Sequence, residues 1–97
     1  MKGFSLGKRH RSRLGILLDI LKSIRELDEA PITSIITYAN VPHDRLKRIL
    51  ERLVEGGYIK RMRRDNRVMY VLMPKGLELI RELEKIKDML EGLGLAI

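Results

Sequence analysis

The sequence predicts a mainly α domain with one small β-hairpin and a long C-terminal helix. Three observations carry this reading. Apolar residues recur at helical spacing in three stretches before Gly56 and again after Pro74. Between them lies a β-prone segment that includes Ile59, Val68, Tyr70, Val71 and Leu72. At the centre of that segment, Asp65-Asn66 is an acceptable pair for a two-residue turn with positive φ. Ninety-seven residues make one domain around a single modest core.

The first helix is expected over residues 12–27, where Leu14, Ile16, Leu17, Leu18, Ile20, Leu21, Ile24 and Leu27 cover an arc of roughly 200° at 100° per residue. A face that wide must be covered from more than one side. Pro31 interrupts the chain, and residues 32–39 read as a short second helix with Thr33 or Ser34 available as a cap. Asn40-Val41-Pro42 is a turn, because Asn tolerates the left-handed conformation and Pro disfavours helical geometry at Val41. The third helix, residues 43–55, shows Leu46, Ile49, Leu50 and Leu53 as one apolar stripe and stops at Gly56-Gly57. Helices two and three are thus joined by a three-residue turn, the spacing of a helix-turn-helix, whose second helix typically enters the major groove.

A hairpin directly after such a helix is a wing. A turn at Asp65-Asn66 sets Arg64 opposite Arg67. Pro74 suits the first position of the last helix, which runs to residue 91 before Gly92 and Gly94. Its Leu79, Leu83, Ile86, Leu90 and Leu93 alternate spacings of four and three, the a/d pattern of a coiled coil, open to packing against a partner helix, onto the wide face of the first helix, or both, while Leu77 and Ile80 lie off that seam and are free to face the domain. The chain therefore divides into a basic arm (1–11), a winged helix-turn-helix domain (12–73) and a C-terminal dimerisation helix with its tail (74–97).

Charge points to the partner. Lys and Arg number 20 against 13 Asp and Glu, with a pI near 10.1, and such a field attracts polyanions. The C-terminal helix is nearly neutral; the excess lies in the arm (Lys2, Lys8, Arg9, Arg11, Arg13) and the hairpin (Lys60, Arg61, Arg63, Arg64, Arg67). On the third helix Arg45, Arg48 and Arg52 cluster on the outer face beside Asp44, Glu51 and Glu55. Two readings stand there: contact with DNA, or a solvated helix with pairs such as Arg48–Glu51 and Arg52–Glu55, each worth only a few tenths of a kcal/mol. For the hairpin the competing explanation is edge protection, for which one or two charges suffice. Directly opposed Arg64 and Arg67 repel, and a polyanion would relieve that repulsion.

Other classes fall away. No cysteine is present, and His10 and His43 stand far apart. No Ser, His and acid spacing, metal-ligand cluster or glycine-rich phosphate loop occurs, so neither an enzyme nor a cofactor is expected. Phe4 and three Tyr are few for stacking unpaired RNA bases. No apolar run has the length of a membrane helix and the start lacks a signal-like segment, which together with the missing cysteines implies a cytoplasmic protein, nucleoid-associated on the DNA-binding reading. One small domain leaves no room for a separate ligand-sensing domain, so no small-molecule effector is expected.

The run RSRLGILLDIL, then Thr33, Ile35, Ala39, Asn40 and Val41, then RLKRILERLVEGGYI, then Tyr70, Leu72, Lys75 and Gly76 resembles, in order and spacing, the small archaeal winged-helix DNA-binding proteins of chromatin or transcription-regulator type. The resemblance covers nearly everything from Arg11 to Glu91. It implies a homodimer through an antiparallel coiled coil of C-terminal helices. It also implies a recognition helix with His43, Arg45, Lys47 and Arg48 toward its groove-facing start, and a wing tip from Arg63 to Arg67. The family pattern has Ser or Thr where this chain has Pro42, and Thr where it has Met73. The expected function is a homodimeric double-stranded DNA-binding protein, regulatory or architectural, contacting DNA through Lys8, Arg9, Arg11, Arg13, His43, Arg45, Lys47, Arg48, Arg52, Arg61, Arg63, Arg64 and Arg67. The alternative is a protein-interaction module within a larger transcription complex.

Overall fold

The computed structural model describes residues 11–95. Four helices and one hairpin follow in order: α1 (Arg13–Leu27), α2 (Ile32–Ala39), α3 (His43–Glu55), β1 (Ile59–Arg64), β2 (Arg67–Leu72) and α4 (Pro74–Gly92). This is the expected winged-helix architecture with its C-terminal helix.

Local chemistry sets the boundaries. Ser12 caps α1, its Oγ accepting from the Gly15 N–H at 3.0 Å. Pro31 occupies the cap position of α2, so neither Thr33 nor Ser34 caps it; the Thr37 hydroxyl instead donates to the Thr33 carbonyl at 3.2 Å. Asn40 ends α2 at φ 55° and donates its N–H to Ile36 O at 2.8 Å, the left-handed stop expected of it. Pro42 precedes α3 without a side-chain cap, while Asp44 places a negative charge in the first turn, where the helix dipole favours it.

The core is built on α1. Ile20, Leu21 and Ile24 are fully buried, joined by Ile35 of α2, Leu46 and Leu50 of α3, Ile59 of β1 and Ile80 of α4. Among the described residues the one buried polar side chain is Ser23, whose hydroxyl donates to Ile20 O at 2.6 Å. The hairpin pairs from Ile59 opposite Leu72 to Arg64 opposite Arg67, and Asp65 and Asn66 sit at φ 52° and 62°, as a two-residue turn of this hand requires. A pairing not foreseen from sequence joins Ala30 to Tyr70, each donating its N–H to the other's carbonyl at 2.9 Å. Ala30 precedes Pro31 and is thereby biased to extended backbone, which lets one residue act as a third strand.

The last helix joins the domain at a tight corner. The Met73 N–H donates to Tyr58 O at 3.1 Å; Lys75 Nζ donates to Gly56 O at 2.7 Å and lies 4.6 Å from the centre of the Tyr58 ring. Gly76 passes so close that a Cβ there would stand 2.2 Å from Tyr58 O and 2.6 Å from Leu72 Cδ1. The Lys-Gly pair thus fastens the end of α3 and the start of β1 to the base of α4. Beyond it, α4 lies along α1 with Lys22 Nζ 3.4 Å from Glu84 Oε2.

This packing corrects part of the heptad reading. Leu83, expected on a partner-facing seam, belongs to the domain's own core at 9% exposure, and Leu79 packs against that core, because the wide apolar arc of α1 needs α4 as a cover. Ile86, Met89 and Leu93 farther along are 43%, 68% and 74% exposed. Gly76→Ala is expected to lower stability by about 1–3 kcal/mol through overpacking against backbone. Gly92→Ala, with nothing within 4 Å, should be nearly neutral. Urea denaturation midpoints of the two variants check this.

Candidate nucleic-acid interface

The exposed side of α3 has a charge pattern across it. With Leu46, Leu50 and Leu53 buried, Asp44, Arg48 and Glu55 fall within roughly 30° of the direction opposite the core, and Glu51 about 45° from it toward the wing, at 100° per residue. Arg45 and Arg52 lie on one shoulder of this ridge, and His43 and Lys47 on the other. All eight are exposed.

Each shoulder borders a groove. Toward α1, Arg13, Arg45, Arg48 and Arg52 stand around an open groove of about 580 Å³, with Leu17 and Ile49 in its floor. Toward the hairpin, His43, Lys47 and Glu51 of α3 share a groove of about 410 Å³ with Arg61, Val68 and Tyr70. The hairpin and α3 therefore form one continuous surface, and basic side chains flank the ridge on both sides. Among the described residues, Arg13, Arg45, Arg48 and Arg52 make no ion pair, and neither do Glu51 and Glu55. The Arg48–Glu51 and Arg52–Glu55 pairs considered from sequence are not formed. The one carboxylate of the ridge with a partner is Asp44, 3.5 Å from His43 Nδ1.

Two of the arginines expected to meet DNA are engaged by the protein's own groups. The Arg11 guanidinium binds the Asp19 carboxylate and also donates to Asn40 O at 2.9 Å, strapping the start of α1 to the α2–α3 turn. Arg64 Nε lies 2.6 Å from Glu29 Oε1. Glu29 thereby neutralises one of the two opposed arginines, so relief of the Arg64–Arg67 repulsion does not require a polyanion. Arg61, Arg63 and Arg67 remain exposed and unpaired among the described residues. Glu29 and Asn40 are remote in sequence from the arginines they engage, Asp19 stands eight residues from Arg11, and nothing in local spacing marks any of them. Lys8 and Arg9 lie outside the described residues. No group of three or more His, Asp or Glu that could hold a metal occurs among the described residues, and no described helix is long and apolar enough to cross a membrane.

A family profile described as winged helix-turn-helix matches residues 10–91. The chain belongs to the winged helix-turn-helix family. Its structure is similar to Sso10a-2, a DNA-binding protein from Sulfolobus solfataricus, at TM-score 0.79 and 25% identity, covering 86% of this chain and 85% of that one. It is also similar to BpsR from Bordetella bronchiseptica, whose DNA binding is regulated by 6-hydroxynicotinic acid (TM-score 0.72, 12% identity, 93% and 65% coverage). A third is the transcriptional regulator BldR from Sulfolobus solfataricus (0.68, 19%, 92% and 74%). No curated protein sequence matches. In winged-helix terms α3 is the second helix of the helix-turn-helix and the β1–β2 hairpin is the wing.

Arg11→Ala is expected to cost about 1–2 kcal/mol, since it removes charge-assisted bonds to both Asp19 and Asn40. Arg45→Ala, exposed and unpaired, should stay within about 0.5 kcal/mol of the parent. Chemical denaturation of both variants compares the internal strap with the free shoulder.

Proposed function

We propose that the chain is a homodimeric double-stranded DNA-binding protein that regulates transcription or shapes the nucleoid, with α3 in the major groove and the wing on the phosphates. The observation that supports this best is the pair of basic shoulders on α3, one shared with Arg13 of α1 and the other with Arg61 of the wing. A helix about 10–12 Å across fills a major groove about 12 Å wide, with a phosphate strand passing on each side. On this reading Arg13, Arg45 and Arg52 meet one strand and His43, Lys47, Arg61, Arg63 and Arg67 the other, with Lys8 and Arg9 adding contacts from the arm. Arg11 and Arg64 serve mainly to hold the frame.

The second copy is assigned to the distal half of α4. Ile86, Leu90 and Leu93 continue the heptad beyond the domain, and Met89 is exposed beside them. The seam left beyond the domain, from Ile86 to Leu93, is little more than one heptad and marginal alone, and burial of this apolar surface against an identical helix is the force available to join two protomers. Chain size carries less weight against a small-molecule effector than the composition reading gave it, since BpsR, a neighbour of this fold, is regulated by one.

If the dimer neutralises about six to ten phosphates, log K should fall against log salt with a slope of roughly −5 to −9. Replacing Arg61, Arg63 and Arg67 together by Ala should flatten that slope while circular dichroism stays unchanged. A salt-independent parent would rule out the electrostatic account, and retained DNA binding with loss of a protein partner would favour an interaction module. For the dimer, Ile86→Glu with Leu93→Glu is the informative variant, because Leu83 lies in the protomer's own core. Sedimentation equilibrium is expected to show a folded monomer, and an unchanged assembly would exclude α4 as the interface.

A further inference from the structure

Between its basic shoulders the exposed side of α3 carries three carboxylates and one guanidinium, on the part of the helix that, in a major groove, faces the base edges. A protein that bound DNA through its backbone alone would gain nothing from acids there and would lose affinity to phosphate repulsion. Each acid can be asked what holds it in the sequence. Asp44 lies in the first turn of α3, where the helix dipole and His43 account for it. Glu55 is the last residue of α3 and borders neither groove.

Glu51 has no such explanation. It is mid-helix and exposed, and it makes no ion pair with Lys47, Arg48, Arg52 or any other described residue. It borders the wing-side groove and Arg48 the α1-side groove, and at three residues' spacing the two are neighbours on the exposed side of the helix.

We propose that Glu51 is a specificity-determining residue that selects a base presenting an amino group in the major groove, cytosine first, while Arg48 reads a neighbouring guanine. The proposal rests on the reading that α3 enters the major groove. Its chemistry follows from the two groups. An ionised carboxylate only accepts hydrogen bonds, and the donors on major-groove edges are cytosine N4 and adenine N6. A guanidinium only donates, and guanine offers O6 and N7 in bidentate geometry. Adjacent opposite charges on the ridge therefore match a site containing G·C pairs better than any uniform surface. Phosphates lie on the shoulders, where the basic residues are, so attraction and discrimination are separated across the width of one helix. The chain then favours particular sites rather than coating DNA evenly.

The test is selection from a randomised duplex pool followed by sequencing and binding titrations, using the full chain, Glu51→Gln, Glu51→Ala and, as control, Glu78→Gln on α4. The parent and the control should enrich cytosine at a fixed position, and changing that base should weaken binding about 5- to 140-fold. Glu51→Gln should move the preference at that position to adenine, which a carboxamide pairs through N6 and N7. Glu51→Ala should lose the preference and bind random duplex roughly twofold or more tightly, as one repulsive charge is removed. A parent that binds DNA but enriches nothing, or Glu51 variants that enrich the same sequence as the parent, overturns the assignment and leaves DNA binding standing. A parent that binds no duplex at low salt overturns both.

Discussion

The wide apolar face of α1 is the constraint from which the rest of the fold follows. Ile20, Leu21 and Ile24 are fully buried on it, and no single neighbour could cover the roughly 200° of surface involved. α2, β2 and α4 each take a share of it. Hydrophobic burial of that order dominates the folding of a domain this small, and it sets where the other elements must lie. α3 is held against this assembly by Leu46, Leu50 and Leu53. Its opposite side is left free, and the mixed charges gather there.

Much of this was legible in the residues because local rules and global packing agree. Asp65-Asn66 demanded positive φ and got it, which set the hairpin register down to Arg64 opposite Arg67. Asn40, Gly57 and Pro74 marked helix ends by mechanisms that act within a few residues. What was not legible depended on contacts between distant segments. The bridge from Ala30 to Tyr70 is a single residue long and has no periodicity to read. Leu83 obeys a heptad whether it faces a partner or α1, and the burial decides for α1. Pro31 displaced the expected hydroxyl caps of α2 simply by occupying the cap position itself.

The candidate interface shows the same division more sharply. Composition identified the arginines, and helical periodicity located the exposed side of α3. Neither could distinguish an arginine already engaged by the protein from one left open to a ligand. Glu29 beside Arg64 and Asp19 beside Arg11 make that distinction, and both come from outside the segments they neutralise. Net charge therefore overstates the positive surface on offer, and the arrangement of unpaired groups is the more informative quantity.

The corner at Gly76 has a mechanical consequence. Tyr58, Lys75 and Gly76 join the end of α3, the first wing strand and the base of α4 without slack, since even a methyl group would not fit between them. α4 thus behaves as a lever rigidly mounted on the two elements that flank the candidate DNA surface. Its 19 residues amount to about 28 Å at 1.5 Å per residue. In a dimer joined through the tips of such levers, the distance between the two α3 helices would be a property of helix length and mounting angle, as in a pair of calipers, with no flexible linker to adjust it.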